Sequence, residues 1–464
     1  MSAMRNYLGI DLGTTSFKAG LFDENGHTVA MERQPSAFVR SPDGHVELTV
    51  DEFESEIERL LRVVALAAPM GLSSVAAISF ASQANTFACL DAGGGALTPL
   101  ISWTDGRAGA TVDDPLNRLA NMREVTGVPA IDGEFAVAKL RWIAAHQPAV
   151  MAATRQIGFV DSLVVRWLTG ELATEASLAA ITGLADARHA VWWDSAVRTL
   201  LLPKVGWPAI ARAGMPIGVI RSEVSDRLGL PRSVIVVAGC LDQCAAAIGT
   251  GTVRAGDVCE TTGTVLSAIR VSDAFEAGEG VLTCPAFDPQ RFFHMTFSST
   301  SANLLDAYRS LVASTCSHEA LIARAAASSS GVKIGRVESA DQVSLMFLPD
   351  ILARPEGTVV RGILDRVNEE LAMLVGMLGT KPKSIRSAGG GAKSDVWLQL
   401  KADRLGVRII ATAAAEPACL GAAMLAASGA GLATIDELAA RWCRVRAVFE
   451  PSASAGMEAV RVRA

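Results

Sequence analysis

The chain opens on an unbroken apolar run, Tyr7-Leu8-Gly9-Ile10, that reads as a buried strand and ends on Asp11. After Leu12-Gly13-Thr14-Thr15 the period changes: Phe17, Ala19 and Leu21 alternate with polar or small residues, predicting a second strand. Asn25-Gly26 predicts a tight turn into a third strand over His27–Arg33. Thr49 and Glu52 form a capping-box pattern, followed at helical spacing by Phe53, Ile57, Leu60, Leu61 and Val64. Val75–Phe80 reads as another strand, and Leu97–Trp103 approaches one. A mainly helical, Trp-rich stretch follows, broken at Gly127, Pro148 and Gly170. Val234–Ala238 predicts a short apolar strand running into Gly239-Cys240-Leu241-Asp242-Gln243, then a small-residue helix to Gly249.

A second α/β pattern begins near residue 250. Val258-Cys259-Glu260-Thr261-Thr262-Gly263-Thr264 repeats the strand and Gly-Thr turn, with strand character over Val265–Val271. Helices are predicted from Ser301 and over Val359–Met377, where Val367, Leu371, Leu374 and Leu378 share one face. Ser384–Ala388 leads into Gly389-Gly390-Gly391-Ala392-Lys393-Ser394, with Ser394 placed to cap a helix through Trp397, Gln399 and Asp403. Two Gly-Thr turns, each opening a half of similar size, predict two related α/β lobes, 1–246 and 247–464, with a cleft between them.

Composition narrows the class. With 464 residues, half of them apolar and 19% charged, the chain suits a well-packed enzyme of more than one domain. The net charge of −6, without a basic stripe, argues against nucleic acid. Two uncharged runs reach roughly the length of a spanning helix, but Val63–Ala81 contains Pro69 and Gly71, and Pro417–Ile435 is Ala/Gly-rich like a packed soluble helix. No membrane span is expected. No signal-peptide pattern precedes Tyr7, so the cytoplasm is the expected location. The eight cysteines form no CxxC pair; Cys240 and Cys244 are expected to be buried thiols, and the six histidines form no cluster.

The chemistry concentrates at the Gly-Thr turns. Glycine lets backbone approach a ligand, while threonine hydroxyls and turn amides aim donors at one volume, which suits phosphate. Asp11 beside them suits a hydrated magnesium ion. From its position alone Asp242, ending a buried strand, fits a helix cap, and Lys18, on an alternating strand, fits a solvated side chain. Neither GxxxxGK[ST] nor GxGxxG occurs.

Taken in order, Asp11-Leu-Gly-Thr-Thr15, Gln83 ahead of Trp103-Thr-Asp105-Gly-Arg107, Lys139-Leu-Arg-Trp142, Leu168-Thr-Gly170, Gly239-Cys-Leu-Asp242, Thr261-Thr-Gly-Thr264, Gly389-Gly-Gly-Ala392 and Gly421-Ala-Ala423 resemble the FGGY family of carbohydrate kinases. The resemblance runs from Tyr7 to about Ala427 and implies an α/β fold of two ribonuclease-H-like, actin-like ATPase lobes. It implies ATP and Mg2+ as cofactors. Gly13, Thr14, Thr15, Lys18, Thr261, Thr262, Gly263 and Thr264 are then expected at the ATP phosphates. Gly389, Gly390, Gly391, Ser394 and Gln399 are expected near the nucleoside, Asp11 and Asp242 at the metal, and Asp242 as the base that takes the proton from the attacking hydroxyl.

The acceptor site is implied at Gln83, Ala84, Asn85, Trp103, Asp105, Asp242 and Gln243. Asn85 donates and accepts and Asp105 accepts, which suits a neutral sugar or polyol, expected to be a ketose such as a pentulose. Arg107 reads alternatively as the ion-pair partner of Asp105. Gln83-Ala84-Asn85-Thr86 departs from both the xylulose kinase and the glycerol kinase forms of that segment, and Glu134 and Ala136 depart from the family signature before Lys139. The stretch from Leu348 to Gly357 is shorter than in most relatives. Two other classes share these motifs, a sugar sensor on a kinase-like scaffold and an actin-like ATPase acting on protein partners. Retention of Asp242 counts against the first and the Gln83/Trp103/Asp105 pocket against the second. A homodimer is left open.

Overall fold

Asn6–Leu12 is buried along its whole length, because it is the central strand of a sheet rather than one face of a hairpin. The computed structural model describes residues 5–109, 114–200, 205–312, 315–328, 331–337, 349–379 and 381–452. These residues form two compact units that interleave in sequence, one made of the described residues within the limits Met1–Val253, Ser272–Phe293 and Ala415–Cys443, the other of those within Arg254–Val271, His294–Ala414 and Arg444–Ala464.

In the first unit the sheet order runs Pro216–Val219, Ile235–Val237, Val75–Ser82, Asn6–Leu12, Ser16–Asp23, Thr28–Pro35, and Cys240–Leu241 adds to the end of Val75–Ser82. The hairpin between Ser16–Asp23 and Thr28–Pro35 turns over Glu24, Asn25 and Gly26, where the Gly26 N–H donates to the Asp23 carbonyl at 2.9 Å and Gly26 takes the left-handed φ of 73° that closes such a loop. Thr49 caps the helix Val50–Ala67, its hydroxyl accepting from the Glu52 N–H at 3.2 Å. The apolar stripe Phe53, Ile57, Leu60, Leu61 and Val64 packs into the core shared with Leu8, Ile10 and Phe17.

The Ala-rich segment is the helix Pro417–Gly429, and its composition follows from backbone-to-backbone contact. A Cβ on Gly421 would lie 1.9 Å from the carbonyl oxygen of Ala245, and one on Gly9 1.9 Å from that of Cys419. Small residues are therefore a packing requirement. No helix among the described residues is long and apolar enough to cross a membrane. The first run divides as predicted, the helix ending at Ala67 and a strand starting at Val75.

One expectation needs correction. The Trp-rich stretch is less helical than its periodicity suggests, since Gln156–Phe159 joins a five-stranded sheet with Val39–Arg40, Val46–Leu48, Leu100–Ile101 and Phe87–Leu90. Cross-strand pairing of Phe87 with Phe159 and packing on Ala136, Leu140 and Ile143 override the local pattern.

The second unit is built on a sheet in which Leu266–Ser272, Val258–Thr262, Ser384–Gly389, Arg408–Thr412 and Val445–Phe449 lie side by side. Glu356–Met377 and Asp395–Leu405 pack as helices beside it, and Ser394 caps the latter by accepting from the Trp397 N–H at 3.3 Å. In the shortened stretch, Leu348 lies outside the described residues, and Pro349–Leu352 forms one helical turn ahead of Glu356.

Candidate active site

The register of the first sheet brings its two singled-out carboxylates to one end. Asp11 and Cys240 both align with Ala81 on the intervening strand, and Asp242 follows directly as the first residue of the helix Asp242–Thr250. Lys18 is the cross-strand partner of Asp11, and its ammonium lies 3.0 Å from Asp11 Oδ2 and 2.9 Å from Glu416 Oε2. Lys18 is thus a paired, largely buried cation rather than a solvated one. Glu416 carried no local signal, because only the fold returns the start of the Pro417–Gly429 helix to this strand.

Burial raises the Asp11 carboxyl, with the Lys18 charge opposing the shift. Desolvation works against the Lys18 charge, yet Asp11 and Glu416 together hold it well above the ordinary amine value. Asp242 keeps part of its surface open but is ringed by protein. Desolvation first, and then the Asp11 charge, lift its carboxyl to about 7, against the N–H of Gln243, which donates to its Oδ1 at 2.7 Å. The backbone entering Asp242 is also held: the Leu241 N–H donates to Ser177 Oγ at 3.0 Å, and the Ser177 hydroxyl donates to Glu175. Glu175 is buried, and desolvation raises its carboxyl to about 8.

The first Gly-Thr turn, Gly13–Thr15, joins the two paired strands. Thr15 is exposed, and the Ser36 side chain donates to the carbonyl of Thr14. The Thr14 hydroxyl accepts from the Trp103 indole N–H at 2.7 Å and lies 3.5 Å from Gln83 Oε1. Gln83 Oε1 also accepts from the Thr86 hydroxyl at 2.9 Å, and Thr86 Oγ1 accepts from the Trp103 backbone N–H at 3.0 Å. Thr14, Gln83, Thr86 and Trp103 therefore close a ring of hydrogen bonds, with Ala84 partly exposed at its edge.

Asn85 and Asp105 spend their polar atoms on the protein. Asn85 sits at φ 60°, its Oδ1 accepts from the Ala136 N–H at 3.0 Å, and its Nδ2 donates to the carbonyl of Ile181 at 3.4 Å. It thereby satisfies an N–H at the start of the helix Ala136–His146, which lacks a side-chain cap of its own. Asp105 accepts from both Nε and Nη2 of Arg107, from the Arg107 N–H and from the Val46 N–H. Despite desolvation, these bonds hold its carboxyl below the usual range. Arg107 also donates to Glu47, so the ion-pair reading of Arg107 is the one realised.

In the second unit, strand alternation separates the two threonines. Thr262 faces inward: its hydroxyl donates to Glu260 Oε2 at 2.6 Å and accepts from Lys401 Nζ at 2.8 Å. Glu260 and Lys401 are fully buried and 2.6 Å apart, a pair for which the sequence carried no signal beyond two charges in apolar surroundings. Thr261 is partly exposed, as is Gly263, and Thr264 is exposed. The expectation of a phosphate contact at Thr262 therefore rests on its backbone alone. Gly389 lies at φ 79°, ψ −167°, where a Cβ would meet the Thr262 carbonyl oxygen at 2.7 Å. Gly390 is exposed, Gly391 is packed on Thr262, and Gln399 donates to Asp403 and to the carbonyl of Glu450. The cysteines form no disulfide, Cys244 Sγ faces Cys284 Sγ at 3.7 Å, and no metal-holding group of three or more His, Cys, Asp or Glu occurs among the described residues.

The profile of the N-terminal domain of the FGGY family of carbohydrate kinases matches residues 6–249, and that of the C-terminal domain matches 282–430. The chain belongs to the FGGY family of carbohydrate kinases. It is similar to xylulose kinase of Escherichia coli strain K12, 30% identical over 90% of this chain and 89% of that protein. It is also similar to glycerol kinase of Aromatoleum aromaticum, 27% identical over 97% of this chain and 95% of that one. The crystal structure of xylulose kinase from Rhodospirillum rubrum shares the fold, with a TM-score of 0.87, 24% identity, and coverage of 99% of this chain and 96% of that one. The FGGY chain is thus an ATP-dependent phosphotransferase acting on a sugar hydroxyl, on a two-lobed α/β actin-like ATPase fold. The sensor and protein-directed ATPase readings give way to it.

Proposed function

We propose that this kinase phosphorylates a free ketose of the pentulose class, with Asp242 as general base. The observation that carries the mechanism is the Asp242 carboxyl, partly open at a strand end and lifted to about 7 by desolvation and the neighbouring Asp11 charge. An alcohol is a weak nucleophile at neutral pH, and a carboxylate that ionises near pH 7 accepts its proton most effectively there. The similarity to xylulose kinases over nine-tenths of the chain supports the substrate class. Arg107 supports a neutral substrate, since Asp105 and Glu47 already take its charge.

The donor set fits magnesium. Asp11 and Asp242 offer hard oxygens close enough for the charge of one to raise the other, a repulsion that a divalent cation relieves, and Mg2+ is commonly held by one or two carboxylates plus substrate phosphates. When bound, the ion neutralises charge on the transferring phosphoryl group. Lys18, whose charge Asp11 and Glu416 already take, holds Asp11 in place, while Gly13, Thr15, Thr261, Gly263 and Thr264 offer open amides or hydroxyls for the ATP phosphates. Gly389 and Gly390, with Ser394 nearby, leave backbone uncovered for the nucleoside, and Gly391 packs beneath them on Thr262. Within the acceptor set, Trp103, Ala84 and Gln243 present partly exposed surface, while Gln83, Asn85 and Asp105 set the walls. Free pentuloses and ATP meet in the cytoplasm, which is the location proposed.

The test is ADP release from MgATP across a panel of ketoses, aldoses and polyols, with wild type and Asp242→Asn side by side. Turnover dependent on a pentulose and lost in the variant is the expected result. Turnover confined to glycerol or another polyol would overturn the substrate class, and pentulose turnover that survives Asp242→Asn would overturn the base.

A further inference from the structure

A fully buried lysine with no carboxylate to pair with is costly, and Lys139 is one. It lies on the helix Ala136–His146 among Ala136, Val137, Leu140 and Ile143, all buried. No carboxylate pairs with it among the described residues, and desolvation lowers its amine to about 8. Its ammonium donates instead to two backbone carbonyls, those of Trp103 and Glu134, each at 2.7 Å. The helix that carries it is anchored at its first N–H by Asn85. Trp103 is therefore gripped at three points: its carbonyl by Lys139, its backbone N–H by Thr86, and its indole N–H against the Thr14 hydroxyl.

We propose that Lys139 is a positioning residue of the phosphoryl-acceptor site, holding Trp103 so that its indole orients the Thr14 hydroxyl of the first Gly-Thr turn. The inference rests on the reading of Trp103 and Thr14 as site residues. A lysine serves here because only a long side chain bearing several donors reaches two carbonyls across the core from a helix face. Methionine fills the same volume and grips neither. Without that grip the 103–107 loop keeps its Asp105–Arg107 pair but loses the bond that sets the height of the indole.

The experiment compares wild type with Lys139→Met, Trp103→Phe and the double variant. It records kcat, the KM for D-xylulose and for ATP, and sugar-independent ADP release, at a temperature where circular dichroism shows each protein folded. Each single variant is expected to lower kcat/KM for D-xylulose about tenfold, and the double variant to fall well short of the hundredfold loss that independent effects give. A purely structural lysine lowers the melting temperature and leaves those constants unchanged below it. Unchanged kinetics in folded Lys139→Met beside an impaired Trp103→Phe overturn the proposal, as does a full hundredfold loss in the double variant. If Trp103→Phe is itself as active as wild type, the reading of Trp103 as a site residue fails instead. Should Lys139→Met not fold, Lys139→Leu, which also removes every donor, is judged by the same outcomes.

Discussion

The sharpest consequence of the geometry at Asp242 is a pH limb. A base must be ionised, so activity falls as pH drops through the carboxyl's value of about 7. A single group at that value is roughly nine-tenths ionised at pH 8 and about one-tenth at pH 6, so kcat/KM for the sugar should fall about tenfold between them. The direction of further shifts follows from the charges present. Asp11 raises Asp242 and Lys18 lowers it, so Lys18→Met moves the limb to higher pH and Asp11→Asn moves it to lower pH. Asp242→Asn removes the limb and lowers the rate by about 10²–10⁴-fold, the usual contribution of a positioned base. The assay is initial-rate kinetics from pH 5.5 to 9 with MgATP held well below its KM, read as kcat/KM, which then reports the enzyme free of metal and nucleotide. A limb that moves down in Lys18→Met would refute the electrostatic reasoning, and a limb that persists in Asp242→Asn would assign it to another group.

Four further outcomes follow from the packing. Lys401→Met leaves Glu260 buried and unpaired and should cost about 3–5 kcal/mol in urea unfolding, where a loss under about 1 kcal/mol would show the pair to be dispensable. Gly389→Ala places a methyl against the Thr262 carbonyl oxygen in a left-handed conformation, costing about 1–3 kcal/mol and raising the KM for ATP; an unchanged KM would separate this loop from the nucleotide. Gly421→Val drives a side chain into the backbone of Ala245, so the variant should be recovered only as unfolded or aggregated protein, and a soluble, native melting transition would contradict the packing. Glu175 is raised to about 8, so the folded state holds its proton more tightly than the unfolded chain. Its contribution to stability is complete below the ordinary carboxyl value of 4.5 and is lost progressively as pH rises from there to about 8, so the stability of wild type relative to Glu175→Gln should fall over that range and level off above it in denaturant titrations.

The opening strand, its hairpin, the Thr49 cap, the Asp242 strand end and the Ser394 cap were legible because each depends on residues within a few positions of one another. The Gly-Thr turns were legible for the same reason, since glycine and threonine announce a turn rich in donors wherever they occur together. The Ala/Gly richness of Pro417–Ile435 read correctly as packing, because small residues are what close contact between backbones demands. The strand Gln156–Phe159 did not read as one, because its partner Phe87 lies far away in the chain.

Side-chain commitments were decided by the tertiary structure. Asn85 and Asp105 carry the right atoms for a sugar, yet one satisfies a helix terminus and the other an arginine, and that is visible only when Ala136 and Arg107 come into place. Thr262 sits in the right motif but faces the core, where Lys401 takes its hydroxyl. Glu416 meets Lys18, and Lys139 meets Trp103, across distances in sequence that no local pattern spans. Local chemistry is encoded in neighbouring residues and survives in a single sequence. The pairing of buried polar groups is a property of the closed core, because each must find a partner wherever the fold supplies one.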